Sequence, residues 1–155
     1  MAPYSSPVRV RFGEIDRAGI VYYPRFFHYF HIAFEEFFAD RVGIPYHVLI
    51  EKRRIGFPTV RVECDYRAPL KFGDRLDVRI SVERIGRSSV TFRYRAWNRR
   101  GRRISAEALV TVVCVDMATF RPVGIPAFCR RAFEEHVEGR RPVVRGEAGR
   151  GAGRR

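Results

Sequence analysis

The sequence predicts an α+β fold in which one long helix is wrapped by a curved antiparallel sheet of about five strands. Two observations carry this. A broad aromatic stripe, Phe26, Phe27, Phe30, Ala33, Phe34, Phe37, Phe38 and Val42, recurs at three- and four-residue spacing, the period of a helix with one buried face. After it come several segments that alternate apolar and polar residues with period two, joined by short turns and with no second long helical pattern among them; such a run builds an antiparallel meander. A helix this aromatic has to be covered, and a curved sheet covers it economically.

The first strand is read at Val8 to Phe12, with Val8, Val10 and Phe12 on one face and Arg9 and Arg11 on the other. A loop from Gly13 to Tyr23 follows, and Pro24 opens the helix, because a proline's missing N–H costs nothing in the first turn. Gly43 and Pro45 end the helical pattern. In Thr59 to Arg67, Val60, Val62, Cys64 and Tyr66 alternate with charged residues, giving strand two. Strand three carries Leu76, Val78, Ile80 and Val82, and the turn Gly86-Arg87-Ser88 leads to strand four with Val90, Phe92, Tyr94 and Ala96 on one face. Strand five, Ile104 to Val115, is nearly continuous in apolar residues and is expected to be central, covered on both faces. Met117 to Val123 closes the sheet, and a short amphipathic helix from about Pro126 to Val137 is anchored by Phe128 and Phe133.

Residues 1–138 therefore form one domain, and the Arg/Gly-rich segment 139–155 is read as a disordered basic tail. With 46% hydrophobic residues, 13 Phe and 7 Tyr, the chain is not a disordered one. The net charge of +13 raises nucleic acid, an acidic membrane surface or a phosphorylated ligand as partners. Residues 139–155 hold six Arg against one Glu, which leaves +8 on the body, so part of the excess belongs to the tail. No apolar run is long enough to span a membrane and no signal-peptide layout opens the chain, which points to the cytoplasm. Cys64, Cys114 and Cys129 are odd in number and widely spaced, fitting neither a disulfide framework nor a zinc site. There is also no Gly-x-Ser-x-Gly elbow and no phosphate loop, so neither a metal, nor another cofactor, nor a serine nucleophile is expected.

The chemistry concentrates in Phe12 to Phe27, FGEIDRAGIVYYPRFF. A carboxylate lies in a glycine-containing loop directly before a helix start, where free backbone N–H groups and a partial positive charge can stabilise an oxyanion. Asp16 is then placed either to activate water or to attack an acyl carbonyl itself. The same residue type also serves as a cap near helix starts, Gly19 also shapes turns, and Tyr23 also packs.

Asp16, Ala18, Gly19, Ile20, Val21, Tyr23 and Pro24 match the D-x-A-G-I-V-x-Y-P signature of acyl-CoA thioesterases of the 4-hydroxybenzoyl-CoA type, which the chain resembles from here to about Val123. The resemblance implies the hotdog fold, Asp16 as the catalytic carboxylate and the Tyr23 backbone N–H as the group that polarises the thioester carbonyl. It further implies an acyl-CoA partner and a homodimer or homotetramer whose sites lie between subunits. Gly19, Val21, His31, Phe57 and Pro58 become substrate-binding candidates, and Arg84 and Arg87, near the hairpin turn, become CoA-binding candidates. His31 and Phe57 stand where that family holds its substrate's phenol with a carboxylate and a hydroxyl. Phe57 favours an apolar acyl end and His31 can still hydrogen-bond a substituent, so benzoyl-like, phenylacyl and short aliphatic thioesters stay open. A non-catalytic acyl-CoA or nucleic-acid-binding module is the competing reading, although nucleic acid is not the expected partner. A hotdog dehydratase is disfavoured because no His occupies the Asp16 loop.

Overall fold

A computed structural model of the chain describes residues 3–139. The order is β1 (Tyr4–Arg9), a short 3-10 turn at Phe12–Glu14, α1 (Arg25–Phe37), α2 (Tyr46–Lys52), β2 (Ile55–Gly56), β3 (Thr59–Tyr66), β4 (Arg75–Ile85), β5 (Ser89–Asn98), β6 (Arg103–Val113), β7 (Val115–Asp116) and α3 (Ala127–Glu135). The architecture is the expected α+β one: an antiparallel five-stranded sheet in the order β1-β4-β5-β6-β3, with α1 against one face, and a two-stranded ribbon of β2 and β7.

The period-two pattern explains the sheet's inner face. Leu76, Val78, Ile80 and Val82 of β4, Val90, Phe92, Tyr94 and Ala96 of β5, and Ala106, Ala108, Val110 and Val112 of β6 are all buried. The aromatic stripe of α1 lies on them: Phe26, Tyr29, Phe30, Ala33, Phe34 and Phe37 are buried, with Phe30 packed on Tyr94 and Phe34 and Phe37 on Phe92. Each large side chain buried this way contributes about 1.5–3 kcal/mol. Pro24 precedes α1 with helical angles, φ −65° and ψ −19°. After Phe37 the helix widens into a single i→i+5 turn that Gly43 ends at φ +86°, its N–H donating to the Phe38 carbonyl at 2.9 Å. Helix α3 closes one end of the core with Phe133, which touches Phe37, Phe38, Phe57 and Phe92; its second expected anchor, Phe128, is only half-buried and lies beneath the Arg53 guanidinium.

Several expectations are corrected. The first strand is Tyr4–Arg9 rather than Val8 to Phe12, and Phe12 is 80% exposed, its ring edge-on to Phe72. The inward residues of β1 are Tyr4 and Ser6; Ser6 donates to the Glu36 carboxylate, so the buried face is partly polar and the alternation was hidden. The strand read at Ile104 to Val115 is β6, which lies inside the sheet between β5 and β3, but it is not fully buried on both faces: buried residues alternate with half-buried ones. The four later strands do not form one meander, since β3 pairs with β6 on the far side from β4. The apolar residues of β3 are not covered: Val60 is 61% exposed, and Val62 and Tyr66 are also exposed, on a strand that ends the sheet. The helix α2 and the strand β2 had no counterpart in the sequence reading, and Met117 to Val123, expected to close the sheet, is a turn followed by a single bridge from Pro122 to Val115. Of the expected tail, residues 140–155 lie outside the described residues.

Candidate active site

The loop between β1 and α1 is pinned at several points. Ile15 bridges Val21, the Asp16 N–H donates to the Ile20 carbonyl at 3.0 Å, and the Gly19 N–H returns to the Asp16 carbonyl at 3.0 Å. This tight turn requires Gly19 at φ +78°, a left-handed conformation that side-chain-bearing residues resist. Val21, buried, ties the loop to the following chain through its N–H on the Leu70 carbonyl at 2.8 Å, and the Tyr22 N–H donates to the Glu14 carbonyl at 3.0 Å. Within this frame Asp16 is exposed, and its Oδ1 accepts the Ala18 N–H at 2.7 Å. Its other carboxylate oxygen has no partner among the described residues.

The helix start leaves one donor over. The N–H groups of Arg25, Phe26 and Phe27 donate to the carbonyls of Tyr22, Tyr23 and Pro24, and Pro24 has no N–H. The Tyr23 N–H therefore stands alone at the positive end of α1, without an acceptor among the described residues. Tyr66 of β3 fixes this point, donating its hydroxyl to the Tyr23 carbonyl at 3.3 Å and packing its ring on Tyr23 and Phe26.

One helical turn beyond Tyr23 begins a cavity of about 270 Å³. Phe27, Phe30, His31 and Phe34 of α1 form one wall, Tyr94, Val110 and Val112 of the sheet the other, and Phe57, Thr59 and Val62 complete it. From Phe27 to Phe34 it follows the helix for about 10 Å at 1.5 Å per residue. Of the sequence candidates, His31 and Phe57 line this cavity, whereas Asp16, Gly19, Val21, Tyr23 and Pro58 do not. His31 stacks on Phe34 and lies 3.5 Å from Glu35, on the exposed side of the helix. Phe57 is buried, and its N–H donates to the Tyr46 hydroxyl at 2.9 Å. Pro58 is half-buried, and its carbonyl accepts the Val113 N–H at 3.0 Å. Tyr94 and Thr59 are cavity residues that sequence reasoning did not single out; alternation places Tyr94 inward but says nothing of a void beside it.

The CoA candidates lie apart from the cavity. Arg84 borders a shallow concavity with Arg61, Glu63, Glu83, Thr91, Leu109 and Thr111, none of which lines the aromatic cavity. Arg87 is exposed at the β4–β5 turn, where its carbonyl accepts the Ile125 N–H at 3.0 Å and Arg130 Nη2 at 3.2 Å. On the adjoining strands Arg93 and Arg95 bind Glu107 at 3.1 and 2.7 Å and Glu138 at 3.2 and 2.9 Å.

Residues 10–133 match the model of the thioesterase-like superfamily. An acyl-CoA thioesterase of Haemophilus influenzae is 29% identical over 130 residues, 84% of this chain and 93% of that one. A 1,4-dihydroxy-2-naphthoyl-CoA hydrolase of Synechococcus elongatus is 33% identical over 96 residues, 61% of this chain and 70% of that one. Among solved structures, a gentisyl-coenzyme A thioesterase superposes with a TM-score of 0.75 at 29% identity, covering 82% of this chain and 99% of that one. The five-stranded sheet around one long helix is accordingly the hotdog fold.

Proposed function

The chain belongs to the thioesterase-like superfamily, and from that premise we propose that it hydrolyses an aromatic acyl-CoA, of benzoyl or hydroxybenzoyl type, to the free acid and CoA. The observation that carries this reading is the pairing of an unpartnered Tyr23 N–H at the start of α1 with an Asp16 carboxylate held in the loop before it. The thioester carbonyl oxygen would accept the Tyr23 N–H, which, with the helix dipole behind it, stabilises the negative charge that develops there. Asp16 then acts in one of two ways. As general base it removes a proton from water, the hydroxide adds to the carbonyl carbon, and collapse of the tetrahedral intermediate breaks the C–S bond and returns the proton to the CoA sulfur. As nucleophile it adds to the carbonyl carbon and expels the CoA thiolate, leaving an anhydride that water cleaves.

Support for an aromatic acyl group comes from the cavity, whose walls are Phe27, Phe30, Phe34, Phe57 and Tyr94; rings held edge-on by other rings gain beyond simple burial. The substrates named for two of the relatives, a dihydroxynaphthoyl-CoA and a gentisyl-CoA, are aromatic as well. A short aliphatic thioester is the second reading, favoured by Val62, Val110 and Val112 in the same cavity. Arg84 and Arg87 are proposed to meet the phosphates of CoA.

The reading also includes a second copy of the chain. Strand β3 ends the sheet with its outer backbone groups and its side chains Val60, Val62 and Tyr66 exposed, an edge of the kind that proteins usually cover. Val62 lines the cavity and Tyr66 holds Tyr23, so a homodimer joined there, or a homotetramer of two such dimers, would enclose the site between subunits. A cytoplasmic location goes with a CoA-dependent substrate; among the described residues no helix is long and apolar enough to cross a membrane.

The test is release of free thiol from a panel of benzoyl, hydroxybenzoyl, phenylacetyl and short aliphatic CoA thioesters, run beside a sizing column. Turnover of the aromatic members by a species of two or four chains is expected. Full activity in a monomer would overturn the interface, preference for the aliphatic members would overturn the acyl assignment, and no release at all would overturn the enzyme.

A further inference from the structure

Three residues lining the aromatic cavity carry polar side-chain groups, His31, Thr59 and Tyr94, and of these only Tyr94 is buried. Tyr94 is only 3% exposed and lines the cavity from the sheet side. Its ring is fixed by Phe30 at 5.2 Å and Phe92 at 6.3 Å, so the side chain cannot swing out to water. Yet its hydroxyl makes no hydrogen bond among the described residues. Among the described residues, the buried side-chain atoms sealed without a partner are Tyr29 Oη, Ser105 Oγ and His136 Nε2. The Tyr94 hydroxyl is not one of them, and the residue lines the cavity.

A buried hydroxyl without a partner costs about 1–3 kcal/mol, and a mostly apolar pocket, whose other polar side chains His31 and Thr59 are exposed at its edge, uses such a group to orient its ligand. The sheet tolerates the residue sterically because its cross-strand neighbour on β6 is the small Ala108. Packing alone would be served by Phe, as it is two residues earlier at Phe92.

Resting on the thioesterase reading above, we infer that Tyr94 is the specificity-determining residue of the acyl pocket, its hydroxyl selecting aryl thioesters whose ring carries a hydrogen-bonding substituent over those with an unsubstituted ring. Burial raises the Tyr94 phenol far above its ordinary pKa, so it remains neutral and can either donate or accept. An oxygen on the substrate ring satisfies it, whereas an unsubstituted ring strips it of water and leaves it unpaired. Discrimination of this kind is strong because the penalty falls on the wrong substrate. Tyr94 acts on the acyl group alone; the reacting carbonyl is left to Asp16 and Tyr23.

Tyr94→Phe tests this with little risk to folding, since it deletes an unpartnered oxygen and keeps the ring. The first arm measures kcat/KM for benzoyl-CoA and for its 2-, 3- and 4-hydroxy derivatives. The wild type is expected to favour at least one hydroxylated isomer over benzoyl-CoA, and the variant to lose about tenfold or more of that ratio while its Tm holds. The second arm measures calorimetric binding of the corresponding free benzoates to the same two proteins and does not depend on catalysis. If no thioester is cleaved but the variant still loses the preference for a hydroxybenzoate, the thioesterase reading fails and the role of Tyr94 stands. If thioesters are cleaved and the variant changes hydroxylated and unsubstituted substrates alike, or neither, the role of Tyr94 is overturned while the enzyme stands. An unchanged binding preference in the absence of turnover overturns both.

Discussion

Replacing Gly19 by alanine probes the loop that holds Asp16, and the structure fixes the size of the effect. At φ +78° an L-residue is strained, by about 1–2 kcal/mol. A Cβ built there meets nothing within 4 Å, so no steric clash adds to that. The shorter list of unfolded conformations open to alanine returns about 0.4–1 kcal/mol. The net cost is roughly 1 kcal/mol, or a fall in Tm of about 2–4 °C for a chain of this length. Relaxing φ toward negative values would relieve it, but only by breaking the Gly19 N–H bond to the Asp16 carbonyl and re-aiming the carboxylate. A displacement of about 1 Å at a reacting group costs up to ~10²-fold, so Gly19→Ala is expected to lower kcat by about tenfold to a hundredfold. Gly19→Asn, whose side chain tolerates the left-handed region, should retain most of both stability and rate. Thermal unfolding and thiol release on the two variants measure this. Equal behaviour of alanine and asparagine would refute the argument from φ, and a wild-type rate in the alanine variant would refute the link between this turn and the carboxylate.

Truncating Phe133 to alanine removes a fully buried ring against four other phenylalanines and is expected to cost about 3–5 kcal/mol in denaturant unfolding; a loss near zero would mean that α3 does not close the core. Glu107 offers a pH test. Burial alone would raise its pKa, but the hydrogen bond from Arg95 and the charges of Arg95, Arg93 and Arg67 outweigh that and hold it below its ordinary value of 4.5. A depressed folded pKa means that the stabilisation is complete above 4.5 and drains away as the pH falls through the lower native value. The wild type should therefore lose Tm on acidification below 4.5 more steeply than Glu107→Gln, and parallel curves would contradict the ion-pair network.

Much of the fold could be read from periodicity, and the misses have physical causes. Strands β4 and β5 were plain because four successive inward positions in each, Leu76 to Val82 and Val90 to Ala96, carry apolar or aromatic side chains. Strand β1 was displaced because its inward Ser6 answers a carboxylate on α1, a tertiary pairing that no local pattern reveals. Its Pro7 is tolerated because β1 ends the sheet. Strand β3 alternates as a half-buried strand does, yet its Val60, Val62 and Tyr66 are exposed at the end of the sheet; the proposed second copy of the chain would cover them. Helix α2 has seven residues, too few for a helical period to show against noise. At the candidate site, Asp16 and Tyr23 could be singled out because sequence neighbours build that loop, and His31 and Phe57 because they stand where the family that the chain resembles holds its substrate's phenol. Tyr94 was not, because a cavity is what three separate elements leave unfilled between them.

The proposed hydrolysis depends on the Asp16 carboxylate, and Asp16→Asn tests it most directly. The asparagine oxygen can still accept the Ala18 N–H that Oδ1 accepts at 2.7 Å, so the loop should survive while the base or nucleophile is lost. Thiol release from an aromatic acyl-CoA that the wild type cleaves is expected to fall by about 10²-fold or more, with Tm and CoA binding unchanged. Turnover within a few-fold of wild type in that variant would contradict the mechanism and move the chemistry away from this loop.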